Sequence, residues 1–445
     1  MRRIATIAAI ALTLVPLTPA TSRDRDAPVI SAASVRTELE LLAGPALRGR
    51  GSATPDEAIA AGYVAALFRD AGLRTAPGMD SYLQTAPIVR RTVAADPTLT
   101  IGGTAIPGVT VLRSGGGQIS GTAAILRDPA GAIPQADVVV YTGPADQFTR
   151  VYRAVRGKAK LLLTTETQED RDYRKQTGVR PRLRVALKGV DSRPDVTVAA
   201  LSADALGRVR DGDAVMLDIP VVTTDGVTTN AIGYLPGTDP KAGVILVSAH
   251  LDHLGVRNGK VMPGANDDAS GTVAVIELAR AFAAMGPSKR GVLFVAYGSE
   301  ELGGLGSTWF GLHPPIPLER IVANIELEMI GQQDAKLPKG SLMMTGAERS
   351  DLFAMLRANG ALVAPDPYPE EHYFERSDNY SLALKGIVAH TLSGWVGPTY
   401  HQPTDTVDSL DLDYMTAAIN SLVRPIRMLA DAGYTPRWKS GGRPQ

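Results

Sequence analysis

The sequence predicts an α/β fold: a mixed, mostly parallel sheet flanked by helices, with a smaller β-rich domain inserted into it. Three observations carry the prediction. From about residue 223 to 433, apolar runs of strand length alternate with segments of helical period, the pattern of a sheet covered by helices on both faces. Between about 93 and 222 the chain holds short β-like runs separated by Gly and Pro. Ahead of both, 32–88 reads as helical. The expected organisation is a discontinuous main domain, 32–92 with 223–435, and an inserted domain over 93–222.

The elements follow in order. Residues 1–20 read as a signal peptide: Arg2 and Arg3 precede an apolar run over 4–15, Pro16 ends it, and Thr18, Pro19 and Ala20 offer a cleavage point. The run is short for a bilayer span, and no later segment reaches the ~18 apolar residues that a span needs. Export to the periplasm or the medium is therefore expected, with no membrane span in the mature chain. In the helical stretch Ala58, Ala61, Val64, Ala65 and Phe68 recur at helical spacing, and Gly72 closes the helix. The insertion is built on runs at 99–101, 123–126, 138–141, 160–164 and 196–199. It also carries Arg171, Arg174, Lys175, Arg180, Arg182, Arg184 and Lys188. With only Tyr173 among them to stack on a base, this cluster reads as a solvated face. The main sheet takes strands 244–249, 292–297, 321–329 and 387–392, with a helix over 272–285, and the tail beyond Trp438 is expected to fray.

Composition narrows the chemistry. In 445 residues, 46 Lys and Arg balance 46 Asp and Glu, which leaves no net charge to attract nucleic acid or an anionic membrane. The absence of cysteine excludes disulfide scaffolds, thiol nucleophiles and Cys-type zinc sites. Any metal must be held by the six histidines or by carboxylates.

The strand ends supply such residues. His250 and Asp252 close the strand 244–249 and, two apart, share a side, so the Asp can orient the His for a metal. Asp267 and Asp268 sit between glycines just before a helix. One acid suffices as a helix-dipole partner, and a second suggests a carboxylate shared between cations. Glu300 and Glu301 follow the strand 292–297; on an extended backbone they point to opposite sides, so one can bind metal while the other stays free as a base. Glu328 lies in an apolar strand, with Glu326 on the same strand face as a competitor, and His401 comes later in the chain. Each feature alone fits a surface hydrogen bond or a solvated loop. Together they give nitrogen and oxygen ligands suited to a pair of zinc ions and to hydrolysis. His253 can touch the rim of the site but reads first as a loop hydrogen-bond donor, and His390 reads as a satisfied core histidine.

In order and spacing the blocks at 47–51, 250–252, 266–271, 299–301, 376–378 and 400–401 resemble the di-zinc aminopeptidase family. That family includes secreted bacterial leucyl-type aminopeptidases, glutamate carboxypeptidase and glutaminyl cyclase. The insertion is similar to a protease-associated domain. The resemblance implies a zinc exopeptidase fold, two Zn2+ ions and peptide substrates. It makes Asp267 the bridging ligand, Glu301 and His401 the ligands of one zinc, and His250 and Glu328 those of the other. It makes Asp252 the residue that orients His250, and Glu300 the general base toward a metal-activated water. It also implies a cis peptide at 267–268. The family position matched by Glu328 is usually Asp. Tyr373, Asp378 and Tyr400 are expected at the substrate pocket, with His372 and Phe374 beside them. An aminopeptidase is favoured, because no basic cluster beside the motifs offers to hold a C-terminal carboxylate. A glutaminyl-cyclase-like transferase, a carboxypeptidase and a non-catalytic binding ectodomain are the alternatives.

Overall fold

The computed structural model describes residues 29–177, 183, 185–190 and 196–445. The expected signal peptide at 1–20 and Arg180, Arg182 and Arg184 of the basic cluster lie outside the described residues.

Two large sheets organise the chain. The nine-stranded sheet runs in the order Val363–Pro365, Leu342–Met344, Val388–Ser393, Ile321–Glu328, Val244–His250, Gly291–Tyr297, Val221–Leu235, Leu83–Val93, Ala186–Leu187. Its four middle strands, from Val388–Ser393 to Gly291–Tyr297, are parallel. The pairings on either side of these four are antiparallel. Every residue of Val244–His250 and Gly291–Tyr297 is buried, which is why these strands read as unbroken apolar runs. Alternate side chains serve two cores. Ile245, Val247, Phe294 and Ala296 face the helices Ala32–Leu42, Pro55–Asp70, Ser270–Met285 and Leu412–Ala430. Leu246, Leu293 and Val295 face the other way, toward Phe310 and Leu382 on the helices Leu305–Leu312 and Asn379–Ala383.

The eight-stranded sheet is formed from strands lying between Thr98 and Ile219. It follows the same period of two: Val138 and Val140 enter one core, while Val139 and Tyr141 meet Val151 and Val155 of the helix Phe148–Val155 in another. Among the described residues no helix is long and apolar enough to cross a membrane.

Two expectations need correction. Residues 83–88 are not helical: they open the strand Leu83–Val93, in which Ala86 and Ile88 are buried at a spacing of two, and pair along their length with Val221–Leu235. The helices end by Asp70, where Gly72 takes a positive φ of 85°. The tail beyond Trp438 is anchored instead of frayed. Lys439 N–H donates to Arg349 O at 2.8 Å, and Arg349 reaches back to Gly442 O at 3.2 Å.

Candidate metal centre

The parallel strands put their carboxyl ends on one edge of the sheet, where His250 lies in register with Tyr297 and Ser248 with Glu326. Loops leaving such an edge converge, which makes it the usual place for chemistry. His250 ends its strand; its main-chain oxygen accepts from Thr272 Oγ1 at 2.7 Å, and its Nδ1 lies 3.1 Å from Asp252 O. That contact fixes Nε2 as the nitrogen facing outward.

Asp267 is buried at the centre of the group. Asp405 pins the turn by accepting from Asn266 N and Asp267 N at 2.8 and 3.1 Å. Asp268 faces away, accepting from Gly271 N at 2.8 Å and Met329 N at 2.9 Å. The peptide between the two acids is cis. Asp267 Oδ1 lies 3.3 Å from His250 Nε2, which is 3.8 Å from Glu328 Oε1. Asp267 Oδ2 lies 3.1 Å from His401 Nε2 and 3.6 Å from His253 Nδ1. Glu301 Oε1 stands 3.3 Å from His401 Nε2 and 2.8 Å from His253 Nδ1. One carboxylate thus serves two poles, His250–Asp267–Glu328 and His253–Asp267–Glu301, with donor atoms of each within 4.8 Å of one another.

The hydrogen bonding tests whether a cation fits. His250 Nε2, His253 Nδ1, Asp267 Oδ2 and Glu301 Oε1 are all buried without a hydrogen-bond partner. Buried polar atoms are rarely left so, and a set that converges from several elements is what a metal would satisfy. Donors about 2.0–2.2 Å from a tetrahedral zinc would stand roughly 3.3 Å apart, close to most of the separations above. The electrostatics agree. Burial alone would raise the Asp267 carboxyl, but the imidazoles of His253, His250 and His401 hold it far below the usual range. Burial would lower His401, yet Asp267 and Glu301 push it up to about 9. A site that pulls protons onto its imidazoles offers the same attraction to a divalent cation.

The turn bearing Glu300 and Glu301 is set from outside the two poles. Glu57 is buried and accepts from Ser299 N and Oγ at 3.0 and 2.9 Å, and also from Ala53 N, Thr228 Oγ1 and Thr229 N. Burial drives the Glu300 carboxyl well above its ordinary value, with Asp378, Glu328 and Glu301 adding to the effect and His250 opposing it.

The structure departs from the sequence reading at several residues. The Asp252 carboxylate is not hydrogen-bonded to His250: its Oδ1 lies 3.8 Å from Nδ1, whose partner is the Asp252 main-chain oxygen. The carboxylate accepts instead from the main chain of Glu300 and from Ser52 Oγ, because the turn after the neighbouring strand delivers N–H groups to it. Glu326 does not compete with Glu328. It is buried one pleat deeper, bonded to Ser248 Oγ. Tyr373 and Tyr400 line a pocket of about 40 Å³ beside Glu328, together with Met329, Met343 and Val396. Asp378 is not on that surface; it is buried at 1% exposure as the cap residue of Asn379–Ala383. Phe374 is core, packed against His390 and Trp438, and His372 is exposed. His253 is not a loop donor but fully buried at the second pole. His390 is satisfied as expected, by Thr345 O at 2.9 Å and Ser350 Oγ at 2.8 Å.

Two further residues had no reading in the sequence. Glu57 stands in the first turn of the helix Pro55–Asp70, where an acid reads as a dipole partner. Arg50 is fully buried, and its guanidinium donates to Leu42 O, Leu251 O, Pro263 O and Gly264 O at 2.7–2.9 Å. Only the block at 47–51 pointed to it.

Known proteins are similar to this chain in sequence and in fold. Over 217 residues, 45% of this chain, the sequence is 36% identical to Aminopeptidase YwaD of Bacillus subtilis, covering 46% of that protein. Over 215 residues it is 24% identical to the Probable leucine aminopeptidase 1 of Trichophyton verrucosum, covering 57% of it. The chain thus spans about half the length of these relatives. The fold is similar to that of an aminopeptidase from Aneurinibacillus sp. strain AM-1, with a TM-score of 0.57 at 18% identity over 92% of this chain and 95% of that one. It is also similar to BSAP, a zinc aminopeptidase from Bacillus subtilis, with a TM-score of 0.52 at 19% identity over 91% and 96%. The profile of peptidase family M28 matches residues 230–424. That segment holds every donor of the two poles, and over it the chain is similar to peptidase family M28.

Proposed function

We propose that the protein is a zinc-dependent aminopeptidase that releases N-terminal residues from peptides and binds two zinc ions about Asp267. The observation that carries the proposal is the set of buried, unpartnered donor atoms on either side of that one carboxylate. His250 and Glu328 would hold one ion and Glu301 and His401 the other, with Asp267 bridging. Zinc would supply a Lewis acid for the scissile carbonyl and a lowered pKa for the attacking water.

The chain's own residues do the rest. Glu300 is the general base: burial raises its proton affinity, which suits a group that takes a proton from water and returns it to the leaving amine. Asp252 is a positioning residue, because it holds the main-chain N–H of Glu300 at 2.9 Å. The pocket beside Glu328 takes an apolar first side chain against Met329, Met343 and Val396. Arg376, the pocket's one cation, is 3.5 Å from Glu371 and lies over the Tyr373 ring, which favours an N-terminal over a C-terminal anchor.

In the same reading residues 1–20 direct export and 93–222 form an inserted domain, from which Ala186–Leu187 pairs with the strand Leu83–Val93 of the main sheet. Zinc-loaded protein assayed on leucyl and N-acetyl-leucyl peptides is the direct test. Cleavage of the free amine substrate alone is expected, and equal cleavage of the blocked peptide overturns the aminopeptidase assignment.

A further inference from the structure

His253 and His390 are both fully buried histidines, and they differ in one respect. His390 has a partner at each ring nitrogen, whereas neither Nδ1 nor Nε2 of His253 has one. The backbone that carries the His253 ring is fixed in place. Its N–H donates to Arg50 O at 3.1 Å and its carbonyl accepts from Ser52 N at 3.2 Å, so the main chain is held on both sides. Against the ring lies Gly264, where a Cβ would come within 2.5 Å of His253 Cγ. A glycine is required there both by that approach and by its φ of 61°.

The fixed ring aims Nδ1 at the pole. Glu301 Oε1 is 2.8 Å away and Asp267 Oδ2 3.6 Å. The first contact is short enough for a hydrogen bond and, against burial, holds the Glu301 carboxyl down, but its alignment is too poor to satisfy either atom. Misaligned donor atoms that crowd together in this way are directed at a third point between them. His401 approaches the same two carboxylates from the open side. It is 33% exposed, and its ring stacks on Tyr400 at a centroid distance of 3.8 Å.

We propose that His253 is a metal ligand through Nδ1, so that the Asp267–Glu301 pole has four protein donors, His253, Asp267, Glu301 and His401. The inference rests on the two-zinc reading above. It makes the pair unequal. Four protein donors close a zinc site, whereas three leave a position free, so the His250–Asp267–Glu328 pole is the one that admits substrate. Of the four donors at the other pole, His401 alone is substantially open to solvent.

X-ray absorption of the zinc-loaded native protein counts the imidazoles directly. Three shared between two ions are expected, and two overturn the assignment. Chelator competition gives a second measurement. His253→Ala should weaken the tighter of the two zinc sites by more than ~100-fold while keeping native circular dichroism. A smaller change is what loss of a neighbour outside the coordination shell produces, and it also overturns the proposal. Should His253→Ala fail to fold, the imidazole count decides alone. Native protein that takes up no zinc, or leaves peptides intact, refutes the aminopeptidase reading itself. Native protein that binds two zinc ions and cleaves, yet shows two imidazoles, refutes only the role of His253.

Discussion

The Asp252 carboxylate accepts the main-chain N–H of Glu300 at 2.9 Å. This bond ties the loop that follows His250 to the turn that follows the neighbouring strand, and so sets Glu300 relative to the first pole. Both Asp252 oxygens are used, since Oδ2 accepts from Ser52 Oγ and faces Glu301 N at 3.4 Å. An amide has a single acceptor oxygen, so Asp252→Asn must turn an NH2 toward one of these donors. The variant is expected to fold and to lose roughly 10–100-fold in kcat, the usual effect of losing an outer-shell partner. KM should move little. A fall in substrate affinity with kcat unchanged would remove Asp252 from this positioning role.

Glu300→Gln separates proton transfer from metal binding. The amide keeps the shape and the main-chain bond to Asp252 but cannot accept a proton. Turnover should fall by about 10²–10⁴-fold, the range for a general base, while elemental analysis finds the same zinc content as in the native protein. Full activity in this variant would take the base role away from Glu300.

Much of this site was legible in the sequence because its residues stand at the ends of apolar strands. Val244–His250 is buried throughout and Ile321–Glu328 at all but Val322 and Glu328, so both read as apolar runs with His250 and Glu328 at their ends, while Asp267 and Glu301 lie in pairs of adjacent acids. What escaped depends on contacts across hundreds of positions. Glu57 reaches Ser299 over 242 residues and Arg50 reaches Gly264 over 214, and no local pattern encodes such pairs. Glu326 and Glu328 share a face by period, and only the depth along the strand separates them. His253 reads as a loop donor because it follows the strand end, and the close approach of Gly264 to its ring is not visible in the local sequence. The strand Leu83–Val93 was obscured by Pro87 and five polar residues, since one of its faces holds no buried residue.

Zinc binding should release protons and strengthen as pH rises. Asp267 is the foremost group raising His250 against the lowering effect of burial. His401 is held up to about 9, again against burial, by Asp267 and Glu301. At neutral pH His401 therefore carries a proton that a metal must displace, and His250 is shifted in the same direction. Below about 9 each further drop in pH should weaken binding. Calorimetric titration of metal-free protein in two buffers of different ionisation enthalpy measures the protons released. Binding with no release would exclude these imidazoles as ligands.

His390 gives the fold an acid sensitivity that is separate from the metal centre. Burial lowers its pKa from 6.5 to about 4, Thr345 O opposing and Arg349 adding to the effect. The folded imidazole therefore protonates less readily than the unfolded one. As pH falls from 6.5 toward 4 the unfolded chain takes up the proton first, so stability is full above this window and declines through it. A shift of this size corresponds to a loss of about 3 kcal/mol. His390→Gln should be less stable at neutral pH, having lost the bonds to Thr345 O and Ser350 Oγ, but flatter in acid. Urea midpoints of both proteins at several pH values between 7 and 4 measure the difference. Loss of bound zinc in acid affects the two alike, so the difference in slope isolates the imidazole. Parallel slopes would show that His390 does not contribute the acid sensitivity.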